Sequence, residues 1–199
     1  MKHALFALAL SLLAAPTAHA LDLGDDAPMR THRMRSVDGS RQSIASVAGP
    51  RGTLVIFTCN HCPWAQAWEG RITALGNRYR ARGIGVIAIN PNDPEEFPED
   101  GYSQMQQRAQ SAGMQFPYVV DETSNVARAF GATRTPEAFL FDQEGHLVYH
   151  GAIDDNAQEP DGVEHHYLRD AMDALLARRA ISDAETRFLG CSIKFRDPS

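Results

Sequence analysis

Thr53-Leu54-Val55-Ile56-Phe57-Thr58-Cys59-Asn60-His61-Cys62-Pro63 is the stretch that decides the fold. Its first five residues make an apolar run of strand length. Beyond Pro63 the apolar residues Trp64, Trp68, Ile72, Leu75 and Tyr79 recur at helical spacing. Two thiols separated by two residues therefore fall at a strand-to-helix junction. The first turn of a helix leaves amide N–H groups unpaired and presents the positive end of the helix dipole, which favours thiolate over thiol. Cys59 is expected to be the reactive sulfur. Cys62, one turn further in and more shielded, is expected to resolve a mixed disulfide on Cys59 and close a small ring with it.

Working outward, Gly83 to Asn90 is a continuous apolar run of the kind a strand buried on both faces requires, and a helix leading into it implies a right-handed crossover and a parallel pair. Asn90 to Gly101 holds Pro91, Pro94 and Pro98 among five acids and reads as a solvated surface loop. Helices are expected over Tyr102 to Ala112 and Ser124 to Phe130, with Ser124 as N-cap. A short strand over Phe116 to Asp121 lies between them. Thr135-Pro136 opens a strand from Glu137 to Asp142 that turns at Gln143-Glu144-Gly145 and returns over His146 to Gly151 as an antiparallel hairpin. Val163 to Ala180 reads as a terminal amphipathic helix. Before the cysteine strand, Asp38-Gly39 and Gly49-Pro50 punctuate residues 21–50, which suits an N-terminal hairpin covering one sheet edge.

The chain opens with Lys2 and His3, an apolar stretch from Ala4 to Leu13 and the small-x-small pattern Ala18-His19-Ala20. This reads as a secretory signal peptide over residues 1–20, cut after Ala20, with an apolar stretch too short for a spanning helix. The expectation is a periplasmic or secreted protein with no stable membrane insertion after cleavage, residues 21–181 forming one domain and residues 182–199 a C-terminal tail. Nineteen Lys and Arg against 25 Asp and Glu give a formal charge of −6, which argues against nucleic acid as a partner. Three cysteines leave one over once Cys59 and Cys62 pair, and that one is Cys191 in the tail. It reads as a tail thiol or one tucked beneath the tail; a third redox thiol in a disulfide relay is the alternative.

The order strand, Cys-x-x-Cys, helix, strand, helix, Thr-Pro, hairpin and terminal helix resembles the thioredoxin superfamily over about residues 22–180. Within it, Phe57 to Pro63 together with Asn90-Pro91-Asn92-Asp93-Pro94 and Gly190-Cys191-Ser192-Ile193-Lys194-Phe195 resembles a redoxin subgroup related to alkyl hydroperoxide reductase and thiol-specific antioxidant proteins. The resemblance implies an α/β thioredoxin-like fold, a central mixed sheet flanked by helices and extended by the N-terminal hairpin. It matches Cys59 to the attacking thiol, Cys62 to the resolving thiol and Pro136 to a cis proline that leaves the Thr135 backbone free to pair with a bound peptide. The buried carboxylate found beneath the dithiol in that family has no evident match, because Ile56 occupies the nearest strand position; Glu69 or an acid of the 93–100 loop are the substitutes.

His61, and Asn60 where related disulfide-donating oxidases carry proline, are expected to tune the dithiol, an imidazole beside Cys59 stabilising its thiolate. Trp64, next to the active turn, is a candidate docking surface with Thr135 and Pro136, whereas Trp68 reads as core. His146 and His150 read as hairpin surface, and His165 and His166 as a solvated first helical turn. The function expected is thiol–disulfide exchange with protein clients and a redox partner protein, with no metal or other cofactor. A peroxiredoxin-like thiol peroxidase is one alternative, though Thr58 stands one residue before Cys59 where that chemistry needs three. A copper-binding assembly factor is another, its relatives spacing their cysteines by three residues.

Overall fold

The computed structural model describes residues 21–197. In chain order the elements are β1 (Met34–Ser36), β2 (Arg41–Gln42), α1 (Ile44–Val47), β3 (Thr53–Phe57), α2 (Pro63–Arg80), β4 (Gly85–Asn90), α3 (Tyr102–Ala112), β5 (Tyr118–Val120), α4 (Asn125–Phe130), β6 (Arg134–Thr135), β7 (Glu137–Phe141), β8 (Leu147–Gly151), α5 (Tyr167–Leu176) and β9 (Cys191–Ser192). Seven strands form one mixed sheet in the order β2-β1-β5-β4-β3-β7-β8, and β6 and β9 pair separately. β3 runs parallel to β4 and antiparallel to β7, so the cysteine turn leaves the middle of the sheet.

β3 carries an unbroken apolar run because both of its faces are covered. Leu54 and Ile56 pack with Trp68, Ile72, Tyr79 and Met172 on the face that holds α2 and α5. Val55 and Phe57 pack with Val126, Phe130 and Phe139 on the face that holds α4. A strand buried on one side alone would alternate in polarity. The N-terminal hairpin is present as β1–β2 and covers the sheet edge by pairing with β5.

α3 spans the residues expected of it, while two other helices differ. α5 is shorter than Val163 to Ala180: residues 160–162 form a 3₁₀ turn, His166 is non-helical, and Arg178 adopts a positive φ that ends the last turn. Ser124 flanks α4 at φ 56° and makes no side-chain cap. Its hydroxyl donates to the Pro91 carbonyl at 2.6 Å and accepts the Arg196 N–H at 3.0 Å, while the Asp121 carboxylate accepts the Ala127 N–H and does the capping.

Residues on both sides of the fold line β8. Gly24 and Asp25 exchange backbone hydrogen bonds with Leu147, and Ala184 and Thr186 exchange them with His150. Among the described residues no helix is long and apolar enough to cross a membrane. The expected signal peptide, residues 1–20, lies outside the described residues.

Candidate active site

Pro63 occupies the first helical position of α2 and Cys62 its N-cap, with no side chain capping the exposed amides. Cys59 is three residues earlier, 4% exposed, and Cys62 is fully buried beside it. The peptide bond between Thr135 and Pro136 is cis, as the resemblance implies. Thr135 is the point on which both sulfurs converge. Its hydroxyl lies 3.0 Å from Cys59 Sγ, and its carbonyl oxygen 3.2 Å from Cys62 Sγ.

The turn between the cysteines is fixed from below by Asp100. This carboxylate accepts the Asn60 N–H at 2.6 Å and the side-chain amides of Asn92 at 3.0 Å and Asn90 at 3.2 Å, and pairs with His61 Nδ1 at 2.5 Å. Expected as part of a solvated surface loop, Asp100 is 2% exposed. Residues 98–100 form a 3₁₀ turn that leaves Glu99 outside and carries Asp100 inward, where four donors compensate the burial of its charge. Asp100 is thus a buried carboxylate set against the cysteine turn, whereas Glu69 pairs with Arg108. Asn60 ties the turn down further: its Nδ2 donates to the Glu99 carbonyl at 2.7 Å and its Oδ1 accepts the Tyr118 hydroxyl at 3.0 Å.

Two expectations are corrected here. Burial, followed by the Asp100 charge, pushes the Cys59 thiol up to about 11, against the opposing hydrogen bonds of Thr135, the Cys62 amide and Asn92. In this arrangement Cys59 is a neutral, masked thiol rather than the expected thiolate. His61 turns its Nδ1 to Asp100 at 2.5 Å and stacks on Phe97 at 4.0 Å.

The second correction concerns pairing. Cys62 is bonded to Cys191, with Cα atoms 5.9 Å apart across 129 residues, and Cys59 is free. The cause is strand pairing: β9 lies antiparallel to β6, with Cys191 opposite Thr135 and Ser192 opposite Arg134. The Thr135 backbone, expected to be free for a peptide, is therefore occupied by the chain's own tail.

Of the remaining candidates, Trp64 is half-buried and packs against both the core and the cysteine cluster, and Pro136 is buried. Trp68 is core, its indole N–H donating to Asp154 at 2.7 Å. His150 is not plain hairpin surface, since its Nε2 lies 2.8 Å from the buried Glu137 carboxylate, while His146 stays exposed near Asp26 and Asp142. Glu137 was not singled out in the sequence. It accepts the N–H groups of Thr133 and Arg134 and so shapes the backbone entering Thr135; its signal is an acid in an otherwise apolar strand just after Thr-Pro. Cys59, His61 and Asp100 offer donor atoms within 4.8 Å of one another, and Asp155, Glu164 and His165 form an exposed group of the same kind.

The AhpC/TSA family model matches residues 23–150. Over 115 residues the chain is 25% identical to the thiol-disulfide oxidoreductase ResA of Halalkalibacterium halodurans, an alignment that covers 58% of this chain and 61% of that protein. The chain thus spans less than two thirds of that relative's length. Among solved structures, an uncharacterized conserved protein from Geobacillus kaustophilus superposes with a TM-score of 0.82 at 35% identity, covering 89% of this chain and 94% of the other. A hypothetical protein from Sinorhizobium meliloti 1021 gives 0.83 at 31% identity, covering 90% and 97%.

Proposed function

Since the chain belongs to the AhpC/TSA family, we propose that it is a thiol–disulfide oxidoreductase exchanging disulfides with protein cysteines through Cys59 and Cys62. The proposal includes export, with residues 1–20 cleaved after Ala20, residues 21–181 carrying the fold and the tail following it. The observation that carries the reading is the convergence of both sulfurs on Thr135, one on its hydroxyl and one on its carbonyl, directly before cis Pro136. A client disulfide laid along that edge is opened by Cys59: a Cys59–client bond forms, the client's own bond breaks, and its second sulfur leaves as thiolate. Cys62 then displaces the first client sulfur and a Cys59–Cys62 bond forms. Two electrons have passed to the client, and the reverse sequence oxidises a client dithiol.

The peroxidase alternative finds less support. Thr58 stands one residue before Cys59 where that chemistry needs three, and the side chains acting on Cys59 are Asp100, Thr135 and Asn92, with no arginine among them. The copper alternative has relatives that space their cysteines by three residues, against two between Cys59 and Cys62.

Insulin reduction in the presence of a dithiol tests the assignment. Wild type should turn over, Cys59→Ser should not, and Cys62→Ser should accumulate a mixed disulfide with its client. An inactive wild type whose Cys62→Ser form traps nothing would refute it.

A further inference from the structure

We propose that Gly190–Arg196 is a tethered occupant of the client edge and that Cys191 is a third redox thiol, which takes over the disulfide from Cys59 by bonding to Cys62. The proposal rests on the oxidoreductase reading of the same site. The tail is built into the edge residue by residue. Cys191 stands opposite Thr135, and the Ile193 N–H donates to the Thr133 carbonyl at 3.0 Å. Ile193 is buried in the core cluster that includes Val126, Phe130 and Ala132. Lys194 donates its N–H to Asn92 Oδ1 at 2.8 Å, accepts the Asp93 N–H at 2.8 Å, and holds its ammonium over the Phe97 ring. Phe97 stacks on His61, so the tail is joined to the cysteine turn from its far side as well. Arg128 lies over Phe195 and reaches the Arg196 carbonyl.

Gly190 is required by the same fit. A Cβ there would come within 2.5 Å of the Thr135 carbonyl oxygen, so another residue would lift the strand from the edge. The features read by the edge are a cysteine opposite Thr135, an apolar residue two places later, then a cation and an aromatic residue. An extended protein segment of that pattern is the client class the edge fits, docking by strand addition once the tail has left.

The relay conserves electrons and protons. After a client disulfide has been reduced, the turn holds a Cys59–Cys62 bond. Cys191 attacks Cys62 Sγ: the Cys62–Cys191 bond forms, the Cys59–Cys62 bond breaks, and the proton lost by Cys191 is taken up by the departing Cys59 sulfur. Cys59 is thereby restored as a thiol while the tail closes the edge above it. An external dithiol reduces Cys62–Cys191, is itself oxidised to a disulfide, and returns the protein to three thiols.

Disulfide mapping of the full chain tests this. The protein is oxidised with glutathione disulfide, quenched in acid, alkylated while denatured and digested. The oxidised wild type should be mostly Cys62–Cys191 with label on Cys59, and Cys59→Ser should form Cys62–Cys191 nearly completely. Gly190→Ala, checked for a native circular dichroism spectrum, should shift the wild-type ratio towards Cys59–Cys62 by about fivefold, the loss of roughly one strand hydrogen bond. A wild type active on insulin whose oxidised form is Cys59–Cys62 with label on Cys191 overturns the tail proposal alone, as does a Cys62–glutathione adduct in Cys59→Ser. A wild type that forms Cys62–Cys191 but turns over no insulin overturns the oxidoreductase reading and the relay with it.

Discussion

The two sulfurs that meet Cys62 arrive by opposite routes. Cys59 is carried on a turn between β3 and α2, pinned through Asn60 and His61 to a buried carboxylate. Cys191 is carried on a strand of two residues at the margin of the fold, held by backbone pairing and one buried isoleucine. The turn is anchored in the core through the Asn60 bonds to Asp100 and Tyr118. The tail makes few buried apolar contacts and many exchangeable hydrogen bonds, which places it at the low end of local stability. One fixed sulfur and one detachable sulfur are what the proposed relay needs in order to hand a disulfide from one to the other.

The largest loss is expected at the pinned turn. Asp100→Ala leaves the Asn60 amide, His61, Asn90 and Asn92 facing a vacant site, and urea unfolding should show a loss of about 3–5 kcal/mol. The next effect is on reactivity. A Cys59 thiol pushed up to about 11 is protonated at neutral pH, so its alkylation by iodoacetamide should rise about tenfold for each pH unit from 8 to 10. Ending the chain at Gly190 removes the cover that contributes to its burial, so labelling of Cys59, read by peptide mapping, should be faster at each pH and level off at lower pH, and Asp100→Asn should act the same way by removing a neighbouring negative charge. A wild type that already alkylates at full rate at pH 7 would contradict the masked state.

Smaller effects sharpen the detachable side. Ser124→Ala removes the hydroxyl that links the Pro91 carbonyl to the Arg196 N–H. It should cost about 1 kcal/mol in thermal or urea stability and speed amide hydrogen exchange in the tail. Far from both cysteines, breaking the solvent-screened Arg82–Asp173 pair with Arg82→Ala should leave both the urea midpoint and the disulfide distribution essentially as they were.

The parts of this molecule that are legible in its sequence are those determined by neighbours in the chain. The run Thr53–Phe57, the helical spacing after Pro63 and the Thr-Pro before an apolar strand each state a local preference that the packed structure keeps. Asp100 is legible only as one acid among five in a proline-rich loop. Its burial is decided by where that loop folds back beneath a turn some 40 residues earlier, which no local pattern records. Cys191 fails to be legible for a related reason: three thiols permit three pairings, and the choice depends on which strand the tail joins. Ser124 has the composition of an N-cap, but its hydroxyl answers to Pro91 and Arg196 instead.

β8 is lined twice, beside Leu147 and beside His150. An outermost strand with open amides and carbonyls is a template on which neighbouring molecules can add and aggregate. Here Asp25 on one stretch and Ala184 and Thr186 on another take up those groups, so the border is sealed from within by segments far apart along the polypeptide. Such a molecule should resist self-stacking once folded and be most prone to it while those segments are still unplaced.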